Sequence, residues 1–576
     1  MAIAVVLALL LGACAGIPTD GPVRAGVPLG GGQGPGYRVA PAPPAAGASP
    51  EAVVRGFLQA GVEVEDEFAT ARQYLATPRR GTWQPTAQTL VHAGDLRVTS
   101  RAPAAAGDAG TAVDDGATQV VVDVTAALTG AVDGHGRYAA AAPGATEVLA
   151  LVLVRETGQW RIADLPDLLL VAEPDFLRTF RPRALYFATG SDAHLVPEVR
   201  WFADRPATAT ALVTELLTGP SPWLAPAVTS GVPPGSALGR RGSVAVTEGE
   251  ARVDLRQGLV DGEGVDVALL RRQLQATLQA LPGVQAVRVT VDGGELDGAG
   301  SAAAVEPAVD AAPVLVRDGE LVRLRDGVLS PVPGLPPLEG LGVSDPAVSG
   351  GSYAALAAGR TQLLLLSRDQ EAPQVALTGT QLTAPSLDRT GWAWSTETAS
   401  PGSVTAVGPE GQVVAVGADW LAGRSVQSLR ASRDGARVVV LSRGPDPAAG
   451  GAEQVRVDLA AVRRDEDGAP QELSVEPGSP TPYLASATAA VWVDATTVAV
   501  LGVPSGAGAQ VLLITGGRPR SLGAPVSAAA PVRLASGSGE RTVLVGTADG
   551  ALWQRAGSRW VALAGVAGAV DPAYAG

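Results

Sequence analysis

An unbroken apolar run, Ile3 to Ala13, opens the chain and stops at Cys14. It is too short to cross a bilayer as a mature helix, which takes about 20 residues. It reads as the apolar core of a secretory signal, with small residues just before the cut. No Arg precedes it and the first positive charge is Arg24, so the true start is expected upstream of Met1. From Ala15 to Ser49 the pattern loses all periodicity, with Gly30-Gly31-Gly32-Gln33-Gly34-Pro35-Gly36 and Ala40-Pro41-Ala42-Pro43-Pro44 inside it. Such a stretch buries too little apolar surface to repay its ordering, so a flexible-to-extended spacer is expected, reaching about 30–35 Å as a coil. Ser49 and Pro50 then supply an N-cap and first helical residue, followed by Val54, Phe57, Leu58 and Gly61 at helical spacing. Phe68, Ala71 and Leu75 repeat that spacing. The period changes to strand-like in Val120–Val124 and Val148–Val154, the latter turning through Glu156-Thr157-Gly158 into Gln159–Ile162.

A second unit begins near Pro182. Leu185–Phe187 and Leu195–Arg200 read as strands, and Pro206 opens a helix carrying Leu212, Leu216 and Leu217 that Gly219-Pro220 stops. Val244–Val246 and Ala251–Leu255 flank a hairpin turn at Glu248-Gly249-Glu250. Leu270, Leu274, Thr277, Leu278 and Leu281 form one helical stripe within Val265–Leu281, and Val284–Val291 ends the unit as a strand. From Val314 onward a polar turn followed by a short apolar strand recurs five times. The copies start at Ser349, Leu387, Ser432, Val493 and Ser538, near forty residues apart except across an insertion at 444–476. That period, with four short strands per unit, is what a β-propeller requires, because a single blade cannot bury its own faces. Val314–Leu324 supplies further strands to help close the ring. Five or six blades fit, and a pair of β-sandwiches is the other arrangement open to the pattern.

Three resemblances rest on these residues. Helices followed by a curved sheet ending in Gly158-Gln159-Trp160-Arg161-Ile162 resemble the NTF2-like α+β cone, with Trp160 in a packing role. The run through Leu185-Tyr186-Phe187, Leu195–Arg200, Gly219-Pro220 and Val253-Asp254-Leu255 resembles the sporulation and germination (GerMN) module, whose recurring positions match Tyr186, Glu198, Gly219, Pro220 and Asp254. Caps, turns and core packing account for each of those five better than catalysis does. Leu11-Gly12-Ala13-Cys14 resembles a bacterial lipobox, which implies cleavage between Ala13 and Cys14, with N-acyl and S-diacylglycerol modification of Cys14. Two or more acyl chains suffice for stable anchoring.

Composition narrows the chemistry. There are 72 Gly and 45 Pro with 4% aromatics, so turns separate short elements. No Lys and no Asn occur, a bias that carries no chemistry but rules out Asn-linked glycosylation. A formal charge of −14 argues against a nucleic-acid surface. The single cysteine excludes disulfides and cysteine-based metal sites. His92, His135 and His194 are not paired with second ligands, so no metal and no cofactor is expected. Asp465-Glu466-Asp467-Gly468 lacks the alternating ligands of a calcium loop. No Gly-x-Ser-x-Gly elbow opens a helix.

The expected architecture is therefore multidomain. A signal at 1–13 and a spacer at 14–48 precede an α+β domain at 49–180, an α/β GerMN-type domain at 182–300 and an all-β propeller at 311–576. That order resembles the lipoprotein LpqB family along essentially the whole mature chain, most clearly over 207–224 and 281–293. The resemblance implies a non-enzymatic protein held by its lipid on the outer face of the cell membrane. Its implied partner is the extracellular domain of a membrane sensor kinase of the MtrAB type, with effects on cell-envelope homeostasis and division. A cell-wall-active enzyme or a ligand-binding protein using the propeller funnel is the alternative.

Overall fold

Ser49 accepts from the Ala52 amide and Pro50 takes the first helical position, so the first helix starts where the cap places it: α1, Pro50–Ala60. The computed structural model describes residues 41–64, 66–103, 118–190, 194–239, 242–296, 310–368, 370–446, 450–475 and 483–575. Ala13, Cys14 and most of the spacer lie outside them. The spacer's last residues are held on the first domain. Tyr74 donates through its hydroxyl to the Ala42 carbonyl at 2.8 Å, and the Gly47 amide donates to Gln159 Oε1 at 2.8 Å. Gly56 makes this reach possible, because a Cβ there would sit 2.5 Å from the Tyr74 oxygen.

Val53, Val54, Phe57 and Ala60 of α1 face a six-stranded sheet. Its strands are β1 Gln88–Arg101, β2 Gln119–Asp133, β3 Tyr138–Ala140, β4 Thr146–Glu156, β5 Gln159–Asp164 and β6 Leu169–Ala172, in the order β5-β4-β2-β1-β6 with β3 beside β2. The bulges of β1 after Val91 and Ala93 bend the sheet over the helix. The β4–β5 hairpin turns at Thr157 and Gly158, whose φ of 50° and 79° are those of a two-residue turn matching strand twist. Trp160 is buried in this core, with the Arg155 guanidinium 4.8 Å from its ring centroid.

Helix α2, Glu173–Thr179, leads directly into the second domain. There β7 Phe180–Thr189 pairs with β8 Leu195–Ala203 and with β9 Val228–Thr229. A second sheet runs β10 Ala245–Thr247, β11 Glu250–Leu255, β12 Ala286–Val291, β13 Gly294–Glu295, with β11 and β12 parallel. Helices α3, Thr208–Thr218, and α4, Val267–Gln279, fill the core between the sheets with Leu212, Leu216, Leu270, Leu274 and Leu278.

The C-terminal region is a propeller, and the structure sets the blade number at six among the described residues. Inner strands Ser344–Ser349, Ser386–Leu387, Ser425–Ala431, Leu484–Trp492 and Pro531–Ala535 begin blades 2 to 6, each followed outward by three antiparallel strands. The five repeated turns fall at one place in this scheme, between the inner and second strands of those five blades. Blade 1 is closed from both ends of the domain. Val314–Arg317, Glu320–Arg325 and Val328–Pro331 take the last strand, Ala569–Ala573, as their inner member, with Arg317 opposite Ala569. The insertion lengthens blade 4, whose second and third strands run Arg437–Asp446 and Ala452–Arg464.

Candidate functional site

The five positions matched to the GerMN pattern are structural in their surroundings, and they do not converge on one cleft. Glu198 is buried and receives both arms of Arg200, at 3.1 Å from Nε and 3.1 Å from Nη2. The Ser221 amide donates to one oxygen of Glu198 at 3.1 Å, and the Ser221 hydroxyl donates to the other. Arg200 continues to Glu215 at 2.8 Å and to the Gly219 carbonyl at 3.2 Å. The network ties β8 to the end of α3, where Gly219 at φ 106° stops the helix and Pro220 follows. Asp254 accepts from Thr290 at 2.8 Å and from the Gly293 amide at 2.9 Å, locking the β12–β13 turn to β11. Buried Gln273 reaches the Tyr186 carbonyl at 2.8 Å and accepts from the Gly231 amide at 2.7 Å.

The histidines also stay apart. His92 is buried in β1, and His135 lies 3.1 Å from Glu215 across the junction of the first two domains. Burial, and then the Arg389 charge, lower the His194 pKa against a smaller pull from Asp434. No group of three or more His, Cys, Asp or Glu is placed to hold a metal among the described residues. Asp465 accepts from the Asp467 and Ala469 amides, so that acidic turn is closed by its own backbone.

Residues from Ala42 onward form one compact unit, and one side chain touches all three domains. Trp201 of β8 stacks within the first domain's core, 5.2 Å from Phe176 and 6.0 Å from Tyr138. Its amide donates to the Gly136 carbonyl at 2.6 Å, and its indole Nε1 donates to the propeller's Gly516 carbonyl at 2.9 Å. Gly136 and Gly516 both have positive φ, and a Cβ on either would come within about 3 Å of Trp201. Arg518 of blade 5 pairs with Glu173 of α2 at 2.6 Å. Arg437 of blade 4 donates to the Pro197 carbonyl at 2.8 Å while pairing with Asp434 at 2.5 Å and covering the Trp492 ring at 4.8 Å. Sequence periodicity offered no sign of this junction, because its contacts with the propeller join residues hundreds of positions apart.

Every one of these propeller contacts lies at the turns that follow the inner and third strands of blades 4 and 5. At this end Arg433, buried after the inner strand of blade 4, reaches past blade 5 to donate to the Gly537 carbonyl. Tyr574 packs against Gly537, and burial pushes its phenol up to about 12. The channel between the inner strands opens at the opposite end as a funnel of about 250 Å³. Asp345, Arg360, Arg430, Arg533 and Asp571 line it. Arg533 binds Asp571 at 2.6 Å and lies 3.7 Å from Asp345, which Arg360 meets at 3.0 Å. The two carboxylates therefore each face a guanidinium. Trp492 also lines the cavity, with the Arg437 guanidinium over its ring.

Comparison with known proteins follows these domains. Residues 43–177 match the family model described as "Lipoprotein LpqB, N-terminal domain". Residues 184–297 match "Sporulation and spore germination", and residues 319–575 match "Lipoprotein LpqB beta-propeller domain". The chain is 29% identical to the lipoprotein LpqB of Thermobifida fusca over 96% of each chain. It is 28% identical to that of Streptomyces coelicolor, covering 87% of this chain and 86% of the relative. Among solved structures, the first GerMN domain of GerM from Bacillus subtilis aligns at 17% identity over 22% of this chain and 94% of its own, with a TM-score of 0.18.

Proposed function

Because this chain belongs to the lipoprotein LpqB family, we propose that it is a lipid-anchored accessory protein on the extracytoplasmic face of the cell membrane. In this reading it binds the extracellular domain of a sensor kinase of an MtrAB-type two-component system and modulates its output, with consequences for cell-envelope homeostasis and division. The observation that carries the reading is the single compact unit built around Trp201. Three domains interlocked by buried contacts offer broad, fixed surfaces, and a specific protein contact needs about 1,200–2,000 Å² in total. No helix among the described residues is long and apolar enough to cross a membrane. Acylation of Cys14 would supply the attachment instead. A tether confines the body to the layer where sensor domains project and raises its effective concentration there. Docking of residues 42–48 on the first domain shortens that tether and favours a partner standing beside it in the same membrane.

The test is direct binding between the purified protein and the isolated extracellular domain of its cognate kinase, by surface plasmon resonance or crosslinking in membranes. Saturable binding at micromolar concentration is expected, together with altered kinase output in a deletion strain. Absence of both would remove the regulatory reading.

A further inference from the structure

The funnel holds an uneven set of charges on a strained backbone. In blade 2, Asp345 and Pro346 form a bulge opposite Ala355, and in blade 1, Asp571 and Pro572 form the equivalent bulge opposite Leu315. Both aspartates are left-handed, at φ 47° and 51°, directly ahead of a proline. That combination is disfavoured for a residue with a side chain, and bulges of this kind re-aim side chains beside binding sites. The bulges present both carboxylates to the channel, where they hold Arg533 and Arg360. The third guanidinium is different. Arg430 donates through Nη1 to the carbonyls of Ala384 at 2.7 Å, Pro385 at 3.2 Å and Leu429 at 3.0 Å, and no carboxylate is ion-paired with it among the described residues. Carbonyls fix its orientation and leave its charge uncancelled. Burial first, and then Arg360 and Arg533 against the pull of Asp345, lower its pKa to about 10, so it remains cationic at neutral pH. Three guanidiniums thus share one cavity with two carboxylates.

We infer that the funnel binds one carboxylate group, seated at Arg430 and belonging to a small acid or to the free C-terminus of a peptide. A guanidinium fork matches a carboxylate in shape, and one negative charge completes the balance. A phosphate dianion would exceed it and lie against Asp345 and Asp571. A volume of about 250 Å³ takes more than the carboxylate itself, so the group arrives with a short neutral stem. The mouth lies opposite the end joined to the other two domains and stays open while they are docked. This site is independent of the kinase reading and can stand or fall without it.

The experiment is isothermal titration of the full-length protein in detergent with four probes: N-acetylated trialanine with a free C-terminus, the same peptide amidated, acetate, and inorganic phosphate. The peptide with the free C-terminus is expected to bind, with amidation weakening it by at least about tenfold, a difference of about 1.4 kcal/mol. Arg430→Gln should weaken binding to a similar degree, and Asp571→Asn, which adds to the surplus positive charge, should tighten it. Acetate binding as well as the peptide assigns the site to a small acid, and tighter peptide binding assigns it to a chain terminus. Either upholds the carboxylate site. Melting temperatures of both variants report whether they fold, and if Arg430→Gln does not, Arg430→Lys and Asp571→Asn decide. The inference is overturned if the amide or phosphate binds as well as the free peptide, if neither carboxylate binds at about 10 mM, a concentration that reveals even millimolar affinity, or if folded Arg430 variants bind unchanged.

Discussion

Glu198 shows how a residue chosen for its family position acquires a physical role. It is buried, it takes both arms of Arg200, and Ser221 closes the set. Removing one partner of a buried pair strands the other charge and costs about 3–5 kcal/mol. Glu198→Ala should therefore lower stability by about that amount in urea titration, whereas Glu198→Gln, which keeps the shape and some hydrogen bonds, should lose less. A different chemistry applies to Cys14, where thioether formation needs a thiolate. Cys14→Ser is expected to leave the membrane fraction or to persist as an uncleaved precursor, seen by fractionation and mass spectrometry. A mature, membrane-bound serine variant would contradict the lipobox reading. The charged residues of the funnel left a fainter trace. Asp345-Pro346-Ala347 and Asp571-Pro572-Ala573 repeat one tripeptide at equivalent blade positions, yet the same tripeptide occurs again at 446–448 and so does not by itself mark the funnel.

Elements whose faces are set by local period were legible in the sequence. The stripe of Leu270, Leu274 and Leu278 is the buried face of α4, and Asp266 caps the helix by accepting from Leu269. Leu278 is fully buried. Leu278→Asp is expected to unfold the second domain, since an unpaired buried carboxylate costs several kcal/mol. Limited proteolysis should then cut within 182–296 while wild type resists, and a protease-resistant variant would place the stripe outside the core. The five repeated turns identified five blades because each needs a polar reversal between two apolar strands. Blade 1 has no such turn, as its inner strand comes from the far end of the chain, and this is why repeats alone left five and six open. Strand β1 also escaped notice, because its bulges break the alternation that marks a strand.

At the scale of the whole molecule, what the sequence concealed is the packing of domains against one another. Trp201 sits in the middle domain's sequence but in the first domain's core, and it bonds to the third. Trp201→Ala should cost about 3–5 kcal/mol as a core truncation. It should also loosen the body, visible as a larger radius of gyration in small-angle scattering and faster hydrogen exchange in β8 and around Gly516. Unchanged exchange at Gly516 would mean that the other contacts, Arg437, Arg518 and the packing of Ala436 and Ala461, hold the propeller without it. Strand Ala569–Ala573 has a consequence of another kind, in time. Its pairing with Val314–Arg317 joins the two ends of the domain, and closing a loop of such length costs roughly 5 kcal/mol of chain entropy before any contact repays it. The ring therefore cannot be completed while the chain is still being delivered N-terminus first. Blades 2 to 6 can assemble from neighbouring strands as they arrive, whereas blade 1 must wait with Leu315 and Val316 uncovered until the last strand reaches it. Closure of that seam is the event expected to limit the folding rate, and until it happens the uncovered edges of blade 1 stand open to pairing with a strand of another chain.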